Sequence, residues 1–176
     1  MKKLLFISVM IGSLSLSNNY TGLVASAQEQ SEQKCNISAF ILPQKVKNIN
    51  IRSLPSVRSQ IIDKLPTNTE GITVDIIGFN NGWVQINKAE RRTTIFNNQG
   101  WIYAQLLGIN TRGYDTEGVN LYTNHDEKSE ILGKIPPNQT VKLLGCSDTY
   151  VKVQFKQLIG WLIKESQCPS PLTTCP

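Results

Sequence analysis

The residues that most often carry out catalysis are sparse in this chain. His125 is its only histidine, and it lies in the polar stretch Asn124 to Glu127. A cysteine hydrolase needs a thiolate of low pKa paired with a base, and no cysteine stands at a spacing that ties it to His125. The sequence also lacks a glycine-rich phosphate loop, a serine nucleophile motif and the spacing of a metal site. We therefore expect no enzymatic activity, no metal and no cofactor.

Binding chemistry is better represented, by large aromatic side chains that offer contact area at a low cost in rotamer entropy. Two of them recur at matched places along the chain, where Trp83 corresponds to Tyr150 and Trp101 to Trp161. The predicted ligand-binding residues are Trp83, Trp101, Tyr103, Tyr122, Tyr150 and Trp161. Packing in the core is the competing interpretation. It stays open for Trp101 and Trp161, whereas partial exposure is expected for Trp83 and Tyr103.

Charged residues give two weaker indications of a site. A predicted hairpin carries three cations that could meet an anionic polymer, namely Lys88, Arg91 and Arg92. A later loop carries three acids that could recruit a cation, namely Asp126, Glu127 and Glu130. Solvated surface is the favoured interpretation of both groups, because charged side chains are mostly exposed in any protein.

An internal repeat defines the elements that position these residues. Ile49 to Ser53 aligns with Val119 to Thr123, and Ile61 to Pro66 aligns with Ile131 to Pro136, at a constant offset of 70 residues. The offset shrinks to 60 at Gly100-Trp101-Ile102, which aligns with the later Gly-Trp-Leu. Length changes thus fall between apolar runs, as expected for two copies of one small domain whose loops tolerate insertion.

Short apolar runs separated by turn residues predict an all-β fold with almost no helix. Asn80-Asn81-Gly82 predicts a tight hairpin, since Asn and Gly accept the positive φ that such turns impose, and Ser147-Asp148-Thr149 takes its place in the second copy. Ile61-Ile62 and Ile131-Leu132 are expected as short strands or turns. The other strands of the first copy are expected at 36–42, 48–52, 72–79, 83–87, 93–96 and 101–106.

The first 27 residues are predicted to be a cleaved signal peptide. Lys2 and Lys3 precede the apolar stretch Leu4 to Leu16, and Ala25-Ser26-Ala27 offers a cleavage site of small residues. The stretch is shorter than the ~20 residues that a membrane-spanning helix needs, so no transmembrane segment is expected in the mature chain. An uncleaved anchor is the alternative. Either way the chain is expected to be exported, as a secreted or periplasmic protein.

The remaining chain carries 16 basic and 13 acidic residues, a net charge of +3 with the two signs interspersed. Nucleic-acid binding is not expected, because it needs a clustered basic surface. Four cysteines remain, and in an exported chain an even count predicts disulfides. We favour a pair between Cys146 and Cys168, and a local pair between Cys168 and Cys175 competes with it.

Composition and repeat together divide the chain. The expected order is a signal peptide at 1–27, a disordered leader at 28–34, a first domain at 35–108, a linker at 109–118, a second domain at 119–168 and a tail at 169–176. The leader is polar and lacks apolar residues, and the linker is rich in glycine and polar residues.

The first copy opens with Asn50-Ile51-Arg52-Ser53-Leu54-Pro55, continues with a valine-rich strand and Gly82-Trp83, and closes with Gly100-Trp101-Ile102. This pattern resembles the bacterial SH3-like domain, SH3b. The second copy keeps Gly160-Trp161 but has Tyr122 where the pattern has its arginine. The resemblance implies two tandem small SH3-like β-barrels. Because Arg52 follows the buried Ile51, we expect it to point outward and hydrogen bond the loop that follows.

Proteins that resemble this family commonly bind cell-wall peptidoglycan or its peptides without catalysis. The resemblance therefore implies an exported, non-catalytic binding protein in which two linked copies raise avidity. The alternative is an interaction or regulatory partner, such as an inhibitor or assembly factor, of a secreted or periplasmic enzyme.

Overall fold

The computed structural model describes residues 32–170 and residue 172. This part of the chain is all-β, with about 56% of the described residues in strands and two single-turn 3₁₀-helices as its only helical elements. None of these helices is long and apolar enough to span a membrane. The predicted signal peptide, most of the predicted leader and Cys175 lie outside the described residues.

The first half has seven strands, most of which the repeat pattern predicts. The pair Ile61-Ile62 begins a strand, and Gln33 and Lys34, which we expected in a disordered leader, pair instead with Phe79 and Gly78. The strands are β1 Gln33–Ile41, β2 Asn48–Arg52, β3 Ile61–Pro66, β4 Thr73–Asn80, β5 Trp83–Glu90, β6 Thr94–Phe96 and β7 Gly100–Tyr103.

The rest of the described chain has seven more strands. A 3₁₀-turn, Ala104–Leu106, leads into β8, and a second one, Lys164–Ser166, precedes the last strand. The strands are β8 Leu107–Thr111, β9 Val119–Tyr122, β10 Ile131–Ile135, β11 Thr140–Ser147, β12 Tyr150–Phe155, β13 Leu158–Leu162 and β14 Gln167–Cys168.

Alternation along β4 and β5 buries one face of the hairpin, as its sequence predicts. Val74, Ile76, Val84 and Ile86 are each 1% exposed or less. The turn between the strands has Asn81 at φ 44° and Gly82 at φ 83°. Both residues adopt the left-handed conformation that a two-residue hairpin turn requires, so this prediction is confirmed.

All fourteen strands belong to one sheet that crosses from the first half to the second. Its main path runs β10, β9, β13, β12, β11, β8, β1, β4, β5, β7, β2 and β3, with β14 attached to β8 and β6 to β5. The sheet is not closed. The crossing point is β8, which pairs with β1 of the first half and with β11 of the second. Residues 109–111, expected in a linker, are therefore part of this strand.

Most of the buried apolar side chains form one connected cluster drawn from both halves. At the centre of the sheet, Leu107 and Ile109 of β8 are completely buried. Phe79 of β4 packs on Gly145 of β11, where an added Cβ would lie 2.9 Å from the ring. The halves are thus packed together by strands and side chains.

A disulfide also joins the halves, and its position corrects our prediction. Cys35 of β1 is bonded to Cys146 of β11, with their Cα atoms 5.8 Å apart. Cys168 is itself disulfide-bonded, so the predicted pairing of Cys146 with Cys168 is wrong. The sequence argument failed because it looked for partners inside the second copy, whereas β1 runs beside the turn after β11. There the Asn36 amide donates to the Asp148 carbonyl at 2.8 Å.

Candidate binding site

Burial divides the six aromatic residues predicted to bind ligand. Trp101 is 5% exposed and Tyr122 is 9% exposed, so both mainly pack within the protein. Tyr103 is 39% exposed, and the remaining three, Trp83, Tyr150 and Trp161, are half-buried. The partial exposure expected for Trp83 and Tyr103 is confirmed. The accessible rings fall into two separate groups, one in each half.

The first-half group is the pair Trp83 and Tyr103. These residues are opposite each other on β5 and β7, and their ring centroids are 5.6 Å apart in an edge-on arrangement. The turn at Gly82 holds the pair in place, because the Gly82 carbonyl accepts a 2.8 Å hydrogen bond from the Ala104 amide. The pair offers an apolar contact surface.

An equivalent loop occurs in each half, between β2 and β3 in the first and between β9 and β10 in the second. In the first half, the Ser59 hydroxyl donates to the carbonyls of Leu54 at 2.8 Å and Ser56 at 2.9 Å. Arg52 donates from Nη1 to the Ser59 carbonyl at 2.7 Å. The predicted role of Arg52 in fixing this loop is therefore confirmed.

The corresponding loop of the second half is held in the same way. The Ser129 hydroxyl donates to the carbonyls of Asn124 at 3.3 Å and Asp126 at 2.6 Å. Each of these residues lies 70 positions after its counterpart in the first half. The shared hydrogen bonds support the internal alignment at the level of local structure.

This second loop places His125 against two rings. The imidazole centroid lies 5.1 Å from that of Trp161 and 6.2 Å from that of Tyr150. Lys152, opposite Trp161 on the neighbouring strand, places its Nζ 5.9 Å from the indole centroid. We call His125, Tyr150 and Trp161 the aromatic cluster. Tyr122, paired with Trp161 across β9 and β13, lies buried beside it.

Sequence analysis included Tyr150 and Trp161 but not His125, which we placed in a polar loop. The repeat contained a usable signal, since an offset of 70 puts His125 at the position of Pro55. That proline belongs to the opening motif of the first copy. The side chain at this loop position is therefore a ring in both halves, and the alignment of His125 with a motif residue was the available signal.

Acidic side chains lie near Tyr150 of the aromatic cluster. Partial burial raises the pKa of Tyr150 above its ordinary value of 10.0, and four nearby carboxylates raise the pKa further because each disfavours the phenolate. In decreasing order of effect, these are Glu127, Asp126, Glu165 and Asp148. Accessible rings bordered by acids can attract a ligand that joins an apolar body to a positive charge. This arrangement can bind such a ligand.

The cationic hairpin of the first half is a solvated tip. Lys88 forms an ion pair with Glu90, Nζ to Oε2, at 2.5 Å, and this bond raises the pKa of Lys88. Arg91 and Arg92 are exposed at the tip. Within the described ranges no three His, Cys, Asp or Glu side chains gather as a metal site.

Comparison with known families bears on the half that contains the aromatic cluster. Residues 117–166 match the family model of the bacterial SH3 domain. The matched region runs from just before β9 to the end of the second 3₁₀-turn, and so it contains the aromatic cluster and all four acids around it. No curated protein matches the chain.

Two solved structures share limited similarity with the chain. NlpC2 from Trichomonas vaginalis aligns at a TM-score of 0.30 and 15% identity, over 75% of this chain and 47% of that one. NlpC1 from the same organism aligns at 0.31 and 15%, over 81% and 48%. The chain spans about half the length of these proteins. A similarity of this size carries no argument about function.

Proposed function

We propose that the protein is an exported, non-catalytic binding protein of the bacterial cell envelope, and that its second half binds peptides of the wall through the aromatic cluster. One observation carries the proposal. His125, Tyr150 and Trp161 form a partly accessible surface bordered by four carboxylates, within the region that matches a bacterial SH3 domain.

The chemistry of this surface favours a ligand with a free amino group. Rings supply contact area, and the carboxylates of Asp126, Glu127 and Asp148 attract an ammonium group. Peptides attached to a wall polymer can present such amino groups. Lys152, which lies over Trp161, would repel a second positive charge and so favours ligands with a single one.

Export is supported by cysteine chemistry. Cys35 and Cys146 are joined in a disulfide, and Cys168 is also disulfide-bonded. Such bonds persist mainly in oxidising compartments outside the cytosol. The first repeat, which carries the SH3b-like sequence motif, would add a second contact through Trp83 and Tyr103 and thereby raise avidity.

The test is retention on purified, insoluble peptidoglycan. We expect retention of the full chain at low salt, at least a tenfold loss of affinity when His125→Ala is combined with Trp161→Ala, and a weaker loss for Trp83→Ala with Tyr103→Ala. Tyr114→Ala is the matched control, since Tyr114 is 66% exposed and belongs to neither group. Trp101 is unsuitable for this test, because its burial would confound binding with stability.

Two results would overturn the proposal. Failure of the full chain to sediment with peptidoglycan at low salt would exclude peptidoglycan as the ligand. Release of soluble fragments from the wall at a rate proportional to protein concentration would contradict the non-catalytic assignment.

A protein partner is the second candidate, in keeping with a regulatory factor for a secreted enzyme. The observation that favours it is apolar exposure on the first-half loop, where Leu54 is 62% exposed and Val57 is 71% exposed. Absence of binding to peptidoglycan, together with an intact fold, would favour this candidate over the first.

A further inference from the structure

A cavity that adjoins the aromatic cluster lies where the segment after β8 meets β9, β10 and the second 3₁₀-turn. Its volume is about 340 Å³, within the range of small-molecule sites. The lining residues that matter to its chemistry are Arg112, Asp115, Gly118, Tyr122, Lys134 and Glu165. The cavity takes residues from the connection between the halves and from the second repeat.

Arg112 lines this cavity with a guanidinium whose Nε is unsatisfied. Its backbone is fixed, because the Arg112 amide donates to the Ser166 carbonyl at 2.9 Å. Its side-chain Nε is buried and has no hydrogen-bond partner among the described residues. A buried donor without an acceptor costs about 1–3 kcal/mol. A guanidinium in this state is matched by a carboxylate, which accepts from two of its N–H groups at once.

Gly118 and Lys134 form an adjoining wall. Gly118 has φ 130°, and an added Cβ would lie 2.5 Å from the Ile135 carbonyl oxygen, so only glycine fits. The Cε of Lys134 lies 3.4 Å from the same Cβ position, which places the end of this side chain against the bare backbone at Gly118. A second cation is thereby held at the cavity that contains Arg112.

Two acids balance these cations without neutralising them. Asp115 and Glu165 also line the cavity, and among the described residues neither forms an ion pair with Arg112 or Lys134. The cavity thus presents both signs of charge in unpaired form. A phosphate, with its multiple negative charges, would be opposed by the two acids, whereas a ligand that carries one charge of each sign is opposed by neither.

We propose that this cavity binds a zwitterion of the amino-acid type, either a free amino acid or a very short peptide. Its carboxylate accepts from the Nη groups of Arg112 and from Nζ of Lys134, its ammonium group faces Asp115 and Glu165, and Tyr122 packs against its carbon skeleton. The site shares Glu165 with the surroundings of Tyr150. It goes beyond the proposed function, because it uses none of His125, Tyr150 and Trp161 and would exist if the protein did not bind peptidoglycan.

Three probes of one skeleton test the charge requirement. Glycylglycine carries both charges, N-acetylglycylglycine only the negative one, and glycylglycinamide only the positive one. The readout is the Arg112 Nε–H signal in a ¹H–¹⁵N correlation spectrum of the oxidised chain during titration with each probe. We expect glycylglycine to shift this signal saturably and to bind at least tenfold more tightly than either blocked probe.

Variants assign the binding to the cavity. Arg112→Gln keeps the backbone bond to Ser166 and is expected to weaken glycylglycine binding at least tenfold, as followed by the neighbouring Gly118 amide. Lys134→Gln provides a second variant, with an expected loss of at least threefold, should the first disturb the fold. Arg92→Gln is the matched control, because it removes an exposed arginine of the first-half hairpin. It should leave affinity unchanged.

The outcomes decide the proposal. No shift of the Arg112 Nε–H signal with glycylglycine at tens of millimolar would overturn it. Equal affinity for N-acetylglycylglycine would also overturn it, since the cavity would then be a simple anion site, and equal affinity for glycylglycinamide would exclude the carboxylate contact. If Arg92→Gln lost as much affinity for glycylglycine as Arg112→Gln, the loss would come from the change in net charge and not from the cavity, and the proposal would be wrong.

Discussion

The phenol of Tyr150 reports the electrostatics of the aromatic cluster. Partial burial and the carboxylates of Glu127 and Asp126 raise its pKa above 10.0, since each disfavours the phenolate. We predict that replacing Asp126→Asn and Glu127→Gln together lowers this pKa towards 10.0, as measured by phenolate absorbance in a chain whose other tyrosines are replaced by phenylalanine. Because the folded state disfavours the phenolate, stability falls as the pH rises from 10 through the folded pKa, and below pH 10 it does not depend on this group.

The matched control for this titration is Glu70→Gln, a change of one carboxylate in the first half. It should leave the Tyr150 titration where it was. A Tyr150 pKa that stays unchanged when both Asp126 and Glu127 are neutralised would mean that these acids do not act on the cluster. The electrostatic part of the proposed site would then be wrong.

Two tryptophans that occupy matched positions in the repeat differ in their surroundings. Trp101 is 5% exposed, whereas Trp161 is half-buried beneath His125. We predict that Trp101→Ala lowers the free energy of unfolding by about 3–5 kcal/mol, the usual cost of removing a buried tryptophan. Trp161→Ala should cost less than half as much. Urea denaturation of both variants measures the difference, and equal losses would contradict the assignment of Trp161 to an accessible surface.

At the same scale, the sequence predicted some side chains well and others poorly. Arg52 was predictable because its neighbour Ile51 had to be buried and the loop that follows offers carbonyl groups. The burial of Trp101 could not be decided, since a residue after glycine at the start of a strand can face either way. Arg112 gave no signal, because an unsatisfied donor is a property of the packing around it.

Among the elements, β8 shows what local pattern cannot reveal. Leu107–Thr111 has five residues that include a glycine and an asparagine, and so it resembles the start of a polar linker. It becomes a strand because β1 and β11 cover both of its edges. By contrast β2, β4 and β5 were predictable, since their alternating burial and the Asn-Gly turn are written in the residues themselves.

A fragment experiment tests the role of β8 in the second half. Asn110, Ile109 and Gly108 pair with Thr140, Val141 and Lys142 of β11. We predict that a fragment of residues 107–170 is more stable than one of residues 117–170, by roughly 3 kcal/mol or more, because the shorter one lacks the buried side chains of Leu107 and Ile109.

Urea denaturation followed by circular dichroism measures this difference, with Cys146→Ser and Cys168→Ser in both fragments to avoid free thiols. A third fragment of residues 107–170 with Leu107→Asn and Ile109→Asn is the control for chain length. It should behave like the shorter fragment. If residues 117–170 were as stable alone as residues 107–170, the second repeat would be an independent domain and β8 an accessory to it.

For the whole molecule, the repeat predicted two copies but not that they share one sheet and one core. Duplicated strand patterns describe each half separately, whereas the sheet continues through β8 and the buried side chains form one cluster. The disulfide between Cys35 and Cys146 also joins the halves, because it links the first strand of one half to the second half across 111 residues of chain. Spacing within either copy contains no information about it.

Loss of this disulfide tests how far the halves depend on each other. Cross-linking a chain over so long a loop stabilises the folded state by restricting the unfolded one, so Cys35→Ser with Cys146→Ser should lower the free energy of unfolding by about 2–4 kcal/mol. The wild-type chain under reducing conditions is the control, and it should lose at least as much stability, since the disulfide of Cys168 opens as well.

The oxidised protein should unfold in one transition, with coincident tryptophan fluorescence and circular dichroism, because the halves share a sheet and a core. Two separate transitions in the oxidised protein would show instead that each half folds on its own and that the shared strand contributes little to either.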